Sequence, residues 1–487
     1  MRVEQAKFTF FIFVIVFLSP FCRGQMLEWS NTQKIRGNSI FTSVIGEDES
    51  GIYILRHRNK FLSKFILLER YRHNLGLENS KSFLLKNTRI LFADINETGI
   101  ILIKQVQDKK TGFYSITSVT FNSSFDIIIP ETVIMQLKQI GNQNEPEFFI
   151  QPTPDHTQYV IVQIETDLNK FSSYQFVKID QKQTIKQKGH VEIDPSLNLE
   201  KIANVIIDKN LDITMLAASK RNKKGQINYV LIEYFKDSGF VKPLHDPVHI
   251  IDNMMLYYNP IKDEKFVSGF YSSNLEKGFE GDFFFHWKNL KKDSLRINKQ
   301  AFSFTSLKEL EGETKANQGF LPITYEALKL IGRSDGGFIK LCENAYIQRD
   351  QEITLINGIP SSQGKSIYNY ENILIRNFDS TGKVSWEGLI TKNQNTVNDG
   401  GLLGSVFVSI TPSSIHMIYN DPIAIGGDIT IASFLPNGDK DVRVAAKGDE
   451  MNAFIIPSEG KQIASDKIII PVLKDRKFAL LKITFKE

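Results

Sequence analysis

Cysteine is scarce in this sequence, which has only Cys22 and Cys342 in 487 residues. Cys22 lies in an N-terminal segment that we expect to be removed. A mature chain with one cysteine can form no internal disulfide, so the class of disulfide-stabilised secreted scaffolds is excluded. The stability of the fold must therefore come from burial of apolar surface.

The sequence also lacks a strong excess of charge of either sign. Its formal net charge is +4, and removal of residues 1–24, which hold three basic residues and one acidic residue, lowers it to +2. Nucleic acids and anionic membranes attract proteins with basic stripes or patches, which so balanced a composition does not favour. We therefore expect no nucleic-acid partner.

Long apolar runs are missing except for Phe8–Leu18 near the start. This run follows two basic residues and precedes the small residues Ser19 and Gly24, an order typical of a secretory signal peptide. It is shorter than the roughly 18–20 residues that span a bilayer. We predict a signal peptide over residues 1–24, no membrane span, and one domain over residues 25–487. Export by the general secretory route would place that domain in the periplasm or outside the cell.

What the sequence does contain is a repeat. Pairs of short apolar segments joined by a Gly, Asp, Asn or Pro turn recur eight times, as in Ile90–Ala93 with Gly99–Lys104. An alternating third segment follows each pair, such as Ile116–Phe121, and turns such as Asp379–Gly382 lead to a fourth. Period-two alternation rich in Val, Ile, Phe and Tyr predicts strands. Each repeat is predicted to be four antiparallel strands spanning roughly 50–60 residues.

Four strands per repeat at this period predict an all-β fold, an eight-bladed β-propeller, with seven blades as the alternative. The eighth repeat ends after its third strand. Met26–Ser30 resembles the fourth strand Lys383–Glu387, including its tryptophan. We therefore predict that residues 26–34 complete the last blade, so that the ring closes without a free edge and the protein is a monomer.

Helical patterns are few. The spacing of apolar residues predicts short helices over Glu131–Ile140, Pro195–Ala203 and Leu307–Lys315, all between repeats.

The lengths of the connections distinguish the two faces of such a ring. Turns between strands one and two and between strands three and four share one face, and all of them are predicted to be short. The other face, which we call the long-loop face, carries Leu137–Glu147, Arg221–Asn228, Ser272–Gly281, Phe302–Gly319, Gln348–Asn372 and Thr391–Gly404. Binding residues concentrate on long loops of a rigid scaffold, so we predict a ligand site there, near the central channel. The alternative is that long loops simply tolerate insertion.

The first group of candidate ligand-binding residues is His245, Asp246 and His249. Imidazoles and carboxylates close in sequence are able to hold a divalent cation or to transfer protons. Pro247 disfavours the helix that would bring both histidines onto one face. We therefore expect polar loop residues here and no metal site.

The second group is Tyr368, Tyr370 and Asn372, within the Gln348–Asn372 insertion. Tyrosines with amides stack on and hydrogen-bond to sugars and peptides. The alternative is that they are ordinary residues of an exposed loop.

A further motif is Asp379–Gly382 followed by Trp386. It resembles one repeat of the propellers that carry a quinone cofactor. Only this copy has the tryptophan, so we interpret it as a structural turn and expect no cofactor. Nucleophile elbow, phosphate-loop, metalloprotease-helix and calcium-loop motifs are missing from the sequence, and catalytic residues stay unassigned.

The chain resembles exported bacterial β-propeller-like proteins of unknown function. The resemblance rests on Val267–Ser272, Tyr370–Glu387, Lys392–Gln394 and Met417–Asp421. These motifs are structural and imply a fold only.

Two classes of function stay open. The first is a non-catalytic binding or scaffold protein that engages a glycan, peptide or protein through the long-loop face. The alternative is a hydrolase or lyase that acts on a polymer in the central channel. Converging carboxylates in a pocket on that face would favour the enzyme.

Overall fold

A computed structural model describes residues 25–35, 42–60, 63–108, 110–138, 146–153, 155–167, 170–222, 226–235, 238–293, 297–356, 359–423 and 427–486. The predicted signal peptide, residues 1–24, lies outside these ranges. The described strands form eight antiparallel sheets arranged as an eight-bladed β-propeller. The prediction of eight blades is confirmed, and the seven-blade alternative is wrong.

The strands follow one another through the blades in chain order. Blade 1 consists of β3 Thr42–Asp48, β4 Gly51–Lys60, β5 Ser63–Tyr71 and β6 Leu77–Leu85, and blade 2 of β7 Thr88–Asn96, β8 Gly99–Asp108, β9 Phe113–Phe121 and β10 Ile127–Lys138. Blade 3 consists of β11 Glu147–Pro152, β12 Gln158–Asp167, β13 Lys170–Asp180 and β14 Ile185–Glu192, and blade 4 of β15 Leu199–Ile207, β16 Ile213–Ser219, β17 Tyr229–Phe235 and β18 Ser238–Leu244.

Blades 5 to 8 complete the ring. Blade 5 consists of β19 Ile250–Asn259, β20 Glu264–Ser272, β21 Gly281–Trp287 and β22 Asn298–Ala301, and blade 6 of β23 Tyr325–Gly332, β24 Phe338–Ile356, β25 Ile359–Phe378, β26 Val384–Ile390 and β27 Gln394–Val397. Blade 7 consists of β28 Phe407–Ile410, β29 Ile415–Asp421, β30 Asp428–Phe434 and β31 Lys440–Ala446. Blade 8 consists of β32 Ala453–Ile455, β33 Lys461–Ala464, β34 Lys467–Lys474 and β35 Lys477–Phe485, together with β1 Gln25–Trp29 and β2 Gln33–Lys34 from the start of the domain.

The core lies between the blades and not within one central mass. Side chains alternate across each sheet, so Ile52 and Ile54 of β4 pack on blade 8 while Tyr53 and Leu55 pack on blade 2. Clusters of this kind join every successive pair of blades, including blade 8 to blade 1. Every sheet therefore buries both of its faces, which explains why successive residues of its strands are apolar in the sequence.

The N-terminal strand closes the ring, as predicted. β1 pairs antiparallel with β35, with Gln25 opposite Phe485 and Trp29 opposite Leu481. A partly buried hydrogen bond between Arg56 and Gln33 then ties this blade to blade 1. Arg56 of β4 donates to Glu69 and also to the side-chain oxygen of Gln33, at 2.6 Å.

Turns between the third and fourth strands dock blade 6 on blade 5 and blade 7 on blade 6. In Asp379–Lys383 the carboxylate accepts from the backbone N–H of Thr381 and Lys383, and Gly382 has a φ of 85°. The fourth residue of such turns touches the preceding blade. Gly382 lies under the ring of Phe284 and Gly438 lies under the ring of Trp386. Trp386 also donates its indole N–H to Pro436, at 2.9 Å, so it serves docking.

Two of the three predicted helices are wrong. In the first, residues 131–138 lie on β10 and residues 139–140 are outside the described ranges; three register shifts of β10 against β9 interrupt the period-two pattern and gave it a helical spacing. In Pro195–Ala203 only Pro195–Leu197 forms a 3₁₀ turn, and β15 begins at Leu199. Leu307–Lys315 is helical except at Gly312, which separates the helices Phe304–Glu311 and Glu313–Ala316.

Two expectations about connections also need correction. The Gln348–Asn372 insertion is not a loop, because β24 and β25 continue their pairing through it as a long hairpin that ends at Ile356 and Ile359. The turn between strands one and two is not short in the last blade. There the connection holds the 3₁₀ turn Pro457–Glu459 and strand β33.

Within the described ranges, no helix has the length and apolar character needed to cross a membrane. The remaining helix, Gly448–Met451, is a single turn before the last blade.

Candidate functional site

The first strand of each blade lies innermost and frames the central channel. Each is paired on one side only, with the second strand of its own blade. Polar side chains join neighbouring first strands by donating to main-chain carbonyls: Gln151 to Val205 at 2.7 Å, Asn253 to Tyr325 at 2.8 Å, and Lys329 to Val408 at 3.3 Å. These bonds hold the walls of the channel in place.

A cavity of about 530 Å³ opens between the first strands of blades 2 and 3. Its lining comes from the start of β7, with Arg89 and Leu91, and from the start of β11, with Glu147, Phe148 and Phe149. First strands begin where the connection from the previous blade ends, so this cavity lies on the long-loop face near the channel.

The residues that line the cavity are mostly apolar, but the surface they expose to it is mostly polar and includes one acidic group and one basic group. Burial raises the pKa of Glu147 above its usual range. Phe148 is half-buried and packs on the core cluster between blades 2 and 3, whereas Phe149, also half-buried, packs on the cluster between blades 3 and 4. A ligand that fills this space would gain apolar contact and two charged groups that fix its orientation.

Two other ionisable groups of the channel wall lie on β23 of blade 6. Burial raises the pKa of Glu326, the nearby Glu343 raises it further, and Lys201 of blade 4 opposes them. Burial lowers the pKa of Lys329. The wall therefore presents charged groups of both signs in a partly desolvated setting.

The segment His245–His249 folds as a turn before β19. Asp246 is buried and accepts from the backbone N–H of Val248 and His249, and from Lys299 at 2.6 Å. Burial alone would raise the pKa of Asp246, but these hydrogen bonds outweigh it and lower the pKa to about 2. His249 stacks edge-on against Tyr271, whereas His245 is exposed. Asp246 and His249 come together; His245 does not join them.

Tyr368, Tyr370 and Asn372 lie on β25 at the root of the long hairpin. The ring of Tyr370 packs on Gly401 and Gly404, where an added methyl group would collide with it. Asn372 accepts from the backbone N–H of Lys392 at 3.3 Å. Tyr368 is half-buried beside β27. Their role in ligand binding stays a prediction.

Contacts among the described residues do not join the two predicted groups. Asp246 and His249 bond to Lys299 of blade 5, whereas Tyr370 and Asn372 pack on residues of blade 6 and the segment after it.

Sequence reasoning missed a buried pair, Lys392 with Glu343, and a pair in which only the carboxylate is buried, Asp94 with His156. Lys392 lies 2.8 Å from Glu343 with both side chains buried, and burial lowers the pKa of Lys392 despite that partner. Asp94 of blade 2 lies 2.5 Å from His156 of blade 3. Both pairs join residues far apart in the chain, and no local motif marks them.

The opposite face of the channel carries the excursion of the last blade, residues 457–466. Lys461 donates to the carbonyl of Ile45 in blade 1 at 2.5 Å and lies 3.6 Å from Asp94 in blade 2. Gln462 bonds twice to the main chain of Ile410 in blade 7. One segment of blade 8 thus contacts the first strands of three other blades.

In the part of the chain that the structure describes, His, Cys, Asp and Glu side chains do not gather in a group of three or more able to hold a metal ion. Cys342 is fully buried in blade 6, and burial raises the pKa of its thiol to about 12.

No protein-family model matches this chain, and no curated protein is similar to it in sequence. The resemblance to exported bacterial propeller-like proteins therefore stays a prediction.

Solved structures similar to this chain are remote. The polysaccharide lyase Uly1 shares 9% identity over 96% of this chain and 94% of its own, with a TM-score of 0.39. The WD40 domain of SCAP from fission yeast shares 9% over 95% and 94%, with a TM-score of 0.43. The β-propeller domain of the Trilobed protease from Pyrococcus furiosus shares 6% over 86% and 98%, with a TM-score of 0.39. Likenesses this low transfer neither activity nor ligand.

Proposed function

We propose that this chain is an exported, non-catalytic binding protein that holds a peptide segment in the cavity between blades 2 and 3. The observation that carries the proposal is the lining of that cavity. It combines apolar and aromatic side chains with one arginine and one carboxylate at the mouth of the channel on the long-loop face.

The main chain beside the cavity favours a peptide over a glycan. β11 forms its ladder with β12 on one side, and its other edge borders the channel. An extended peptide is able to pair with such an edge and place an apolar side chain between Leu91 and Phe148. Arg89 and Glu147 would then receive polar groups of the ligand.

The lining also favours binding over catalysis. Its described residues include a single carboxylate and no histidine. Hydrolysis of a glycosidic bond usually requires two carboxylates that flank it. One acid without a second group in reach supplies a binding contact but not a complete acid and base pair.

The test is a thermal-shift screen of the secreted protein against short peptides and oligosaccharides, because a ligand that binds only the folded state raises Tm by mass action. Leu91→Trp would fill the cavity and should abolish the shift produced by a peptide hit. Leu84→Trp is the matched control, since Leu84 is 59% exposed on the outer strand of blade 1. A shift that survives Leu91→Trp, or that only sugars produce, would overturn the proposal.

The raised pKa of Glu147 favours a second candidate, a hydrolase or lyase that uses Glu147 as a general acid. The decisive comparison incubates the wild type and Glu147→Gln with peptides and polysaccharides and follows the products by mass spectrometry. Turnover that Glu147→Gln abolishes would establish the enzyme, whereas unchanged substrates with intact binding would support the binding protein.

A further inference from the structure

The described part of the closing strand begins at the residue that follows the predicted signal-peptide cleavage site. β1 starts at Gln25, which lies opposite Phe485 of β35. The sequence before it ends in Arg23 and Gly24, and signal peptidases cut after a small residue such as glycine. Cleavage there would leave a glutamine as the first residue of the mature chain.

The side chain of Gln25 is poorly accommodated as an amide. In the uncleaved chain its nitrogen Nε2 is buried and has no hydrogen-bond partner among the described residues. A buried amide N–H without a partner is unfavourable, because it loses its hydrogen bonds to water and gains none in return. The new α-ammonium group would add a charge at the same half-buried end of the sheet.

We propose that Gln25 becomes the N-terminal residue and cyclises to pyroglutamate, so that the strand that closes the propeller carries a blocked end. The inference rests on the export part of the proposed function, since it requires removal of the leader. It assigns a covalent modification to a residue that has a structural role in ring closure.

The chemistry needs no cofactor or oxidant. The neutral α-amine of Gln25 attacks its own side-chain carbonyl carbon Cδ, a C–N bond forms, and the bond from Cδ to Nε2 breaks. The nitrogen leaves as ammonia and takes up the proton that the α-amine loses. The product is a γ-lactam that retains one N–H and the main-chain carbonyl.

The product suits the site better than the reactant. Cyclisation removes the buried amide nitrogen that lacks a partner and replaces a charged terminus with a neutral lactam. It also blocks aminopeptidases, which require a free α-amine. Strand β1 is thereby protected, and with it the contacts of Trp29 and of Ser30, which accepts from the backbone N–H of Leu480 at 2.8 Å.

The first experiment determines the N-terminus of the freshly exported protein. Free α-amines are labelled on the native protein, which is then digested and analysed by mass spectrometry. We expect an N-terminal peptide that begins at residue 25, is unlabelled, and is lighter than the glutamine form by one ammonia.

The other outcomes separate this inference from the proposal on which it rests. A labelled Gln25, or a mature chain that begins at another residue, would overturn the modification but leave export standing. A chain that retains Met1 and the leader would overturn export as well.

A second experiment uses Gln25→Asn, which keeps an amide but does not form the γ-lactam. Its α-amine should be labelled in full, and added aminopeptidase should shorten it. The wild type should lose no residue under the same conditions. Equal trimming of the two proteins, at matched Tm before digestion, would contradict the inference.

Discussion

A cluster of buried ion pairs joins blades 5 and 6. Lys340 lies 2.6 Å from Asp282, and Arg376 bonds to the same carboxylate and to Glu387. Lys340, Asp282 and Arg376 are each at most 1% exposed in their side chains, and the ammonium group of Lys340 lies 3.6 Å from the ring centroid of Phe270. Both cations also donate to main-chain carbonyls, but Asp282 is the carboxylate that they share, so both ion pairs depend on it.

We expect Asp282→Ala to destabilise the protein by about 3–5 kcal/mol, because it leaves two buried cations without their shared partner. Glu78→Ala is the control. Glu78 forms more exposed ion pairs with Arg70 and Arg72, and its loss should cost at most about 1 kcal/mol. Urea unfolding of the two variants tests the difference, and equal losses would contradict the role given to the cluster.

The raised pKa of Asp212 in blade 4 predicts that the stability of the fold depends on pH. Burial and the neighbouring carboxylate of Asp208 raise its pKa to about 6, against an ordinary value of 3.8. A carboxyl whose pKa is raised in the folded state favours folding below the ordinary value, and that benefit disappears as the pH rises through about 6.

Asp212→Asn should therefore match the wild type near pH 4 and exceed its stability at pH 7 by about 2 kcal/mol, since the amide carries no charge to desolvate. Urea midpoints of both proteins across this pH range provide the measurement. Parallel pH profiles for the two proteins would show that Asp212 titrates normally.

The candidate site illustrates what residue patterns convey. His245, Asp246, Tyr368 and Tyr370 were found as groups because each group is local in sequence. For the cavity, the sequence predicted only that a ligand site lies on the long-loop face. Arg89 and Glu147 belong to different blades, and their approach depends on the angle between two sheets, which no local spacing encodes.

At the scale of elements, the turn between the third and fourth strands of blade 7 carries the most specific constraint. Gly438 has a φ of 93°, and an added Cβ would lie 2.9 Å from Cγ of Trp386. Gly400 has a φ of 74°, with open space around that position. The two glycines share a left-handed backbone but differ in contact.

Gly400→Ala should cost about 1–2 kcal/mol from backbone strain alone. Gly438→Ala should cost about 1–3 kcal/mol more, because it also displaces the indole of Trp386. Urea unfolding measures both losses, and near-ultraviolet circular dichroism should change only for Gly438→Ala. Indistinguishable variants would mean that the turn does not dock on Trp386.

Element assignment from the sequence succeeded where alternation was regular. Strands such as β4 and β12 place successive apolar side chains on neighbouring blades, so both faces are apolar and the strand is evident. β10 was missed because its bulges shift the alternation three times. The long hairpin was missed because its polar residues resemble a loop, and pairing alone defines it.

At the scale of the whole molecule, closure links the two ends of the domain. Met26 lies directly opposite Thr484 in the pairing of β1 with β35. Opposed residues of antiparallel strands have Cα separations of about 4.5–5.5 Å, which a disulfide spans. The native Cys342 is buried and should not compete for either new thiol.

The double variant Met26→Cys with Thr484→Cys should therefore form a disulfide and gain about 4 kcal/mol or more, because the bond closes nearly the whole domain into a loop. The Tm should rise under oxidising conditions and return to the wild-type value with a reductant. Failure to oxidise in the folded state would contradict the pairing of the two ends.

Closure was the part of the architecture most accessible from sequence. An eighth repeat that lacked one strand, together with a tryptophan-bearing segment at the other end, left one arrangement that pairs every blade fully. The function was not accessible in the same way, since a propeller buries its apolar residues alike whatever its channel holds.

The direction of the closing pair has a mechanical consequence. Because Gln25 lies opposite Phe485, the start of β1 and the finish of β35 lie at the same end of the sheet. Tension applied to these two points would break the hydrogen bonds between β1 and β35 one after another. It would not load all of them at once in shear. The pairing of β1 with β35, which completes the ring, is therefore also the first contact that such tension would break.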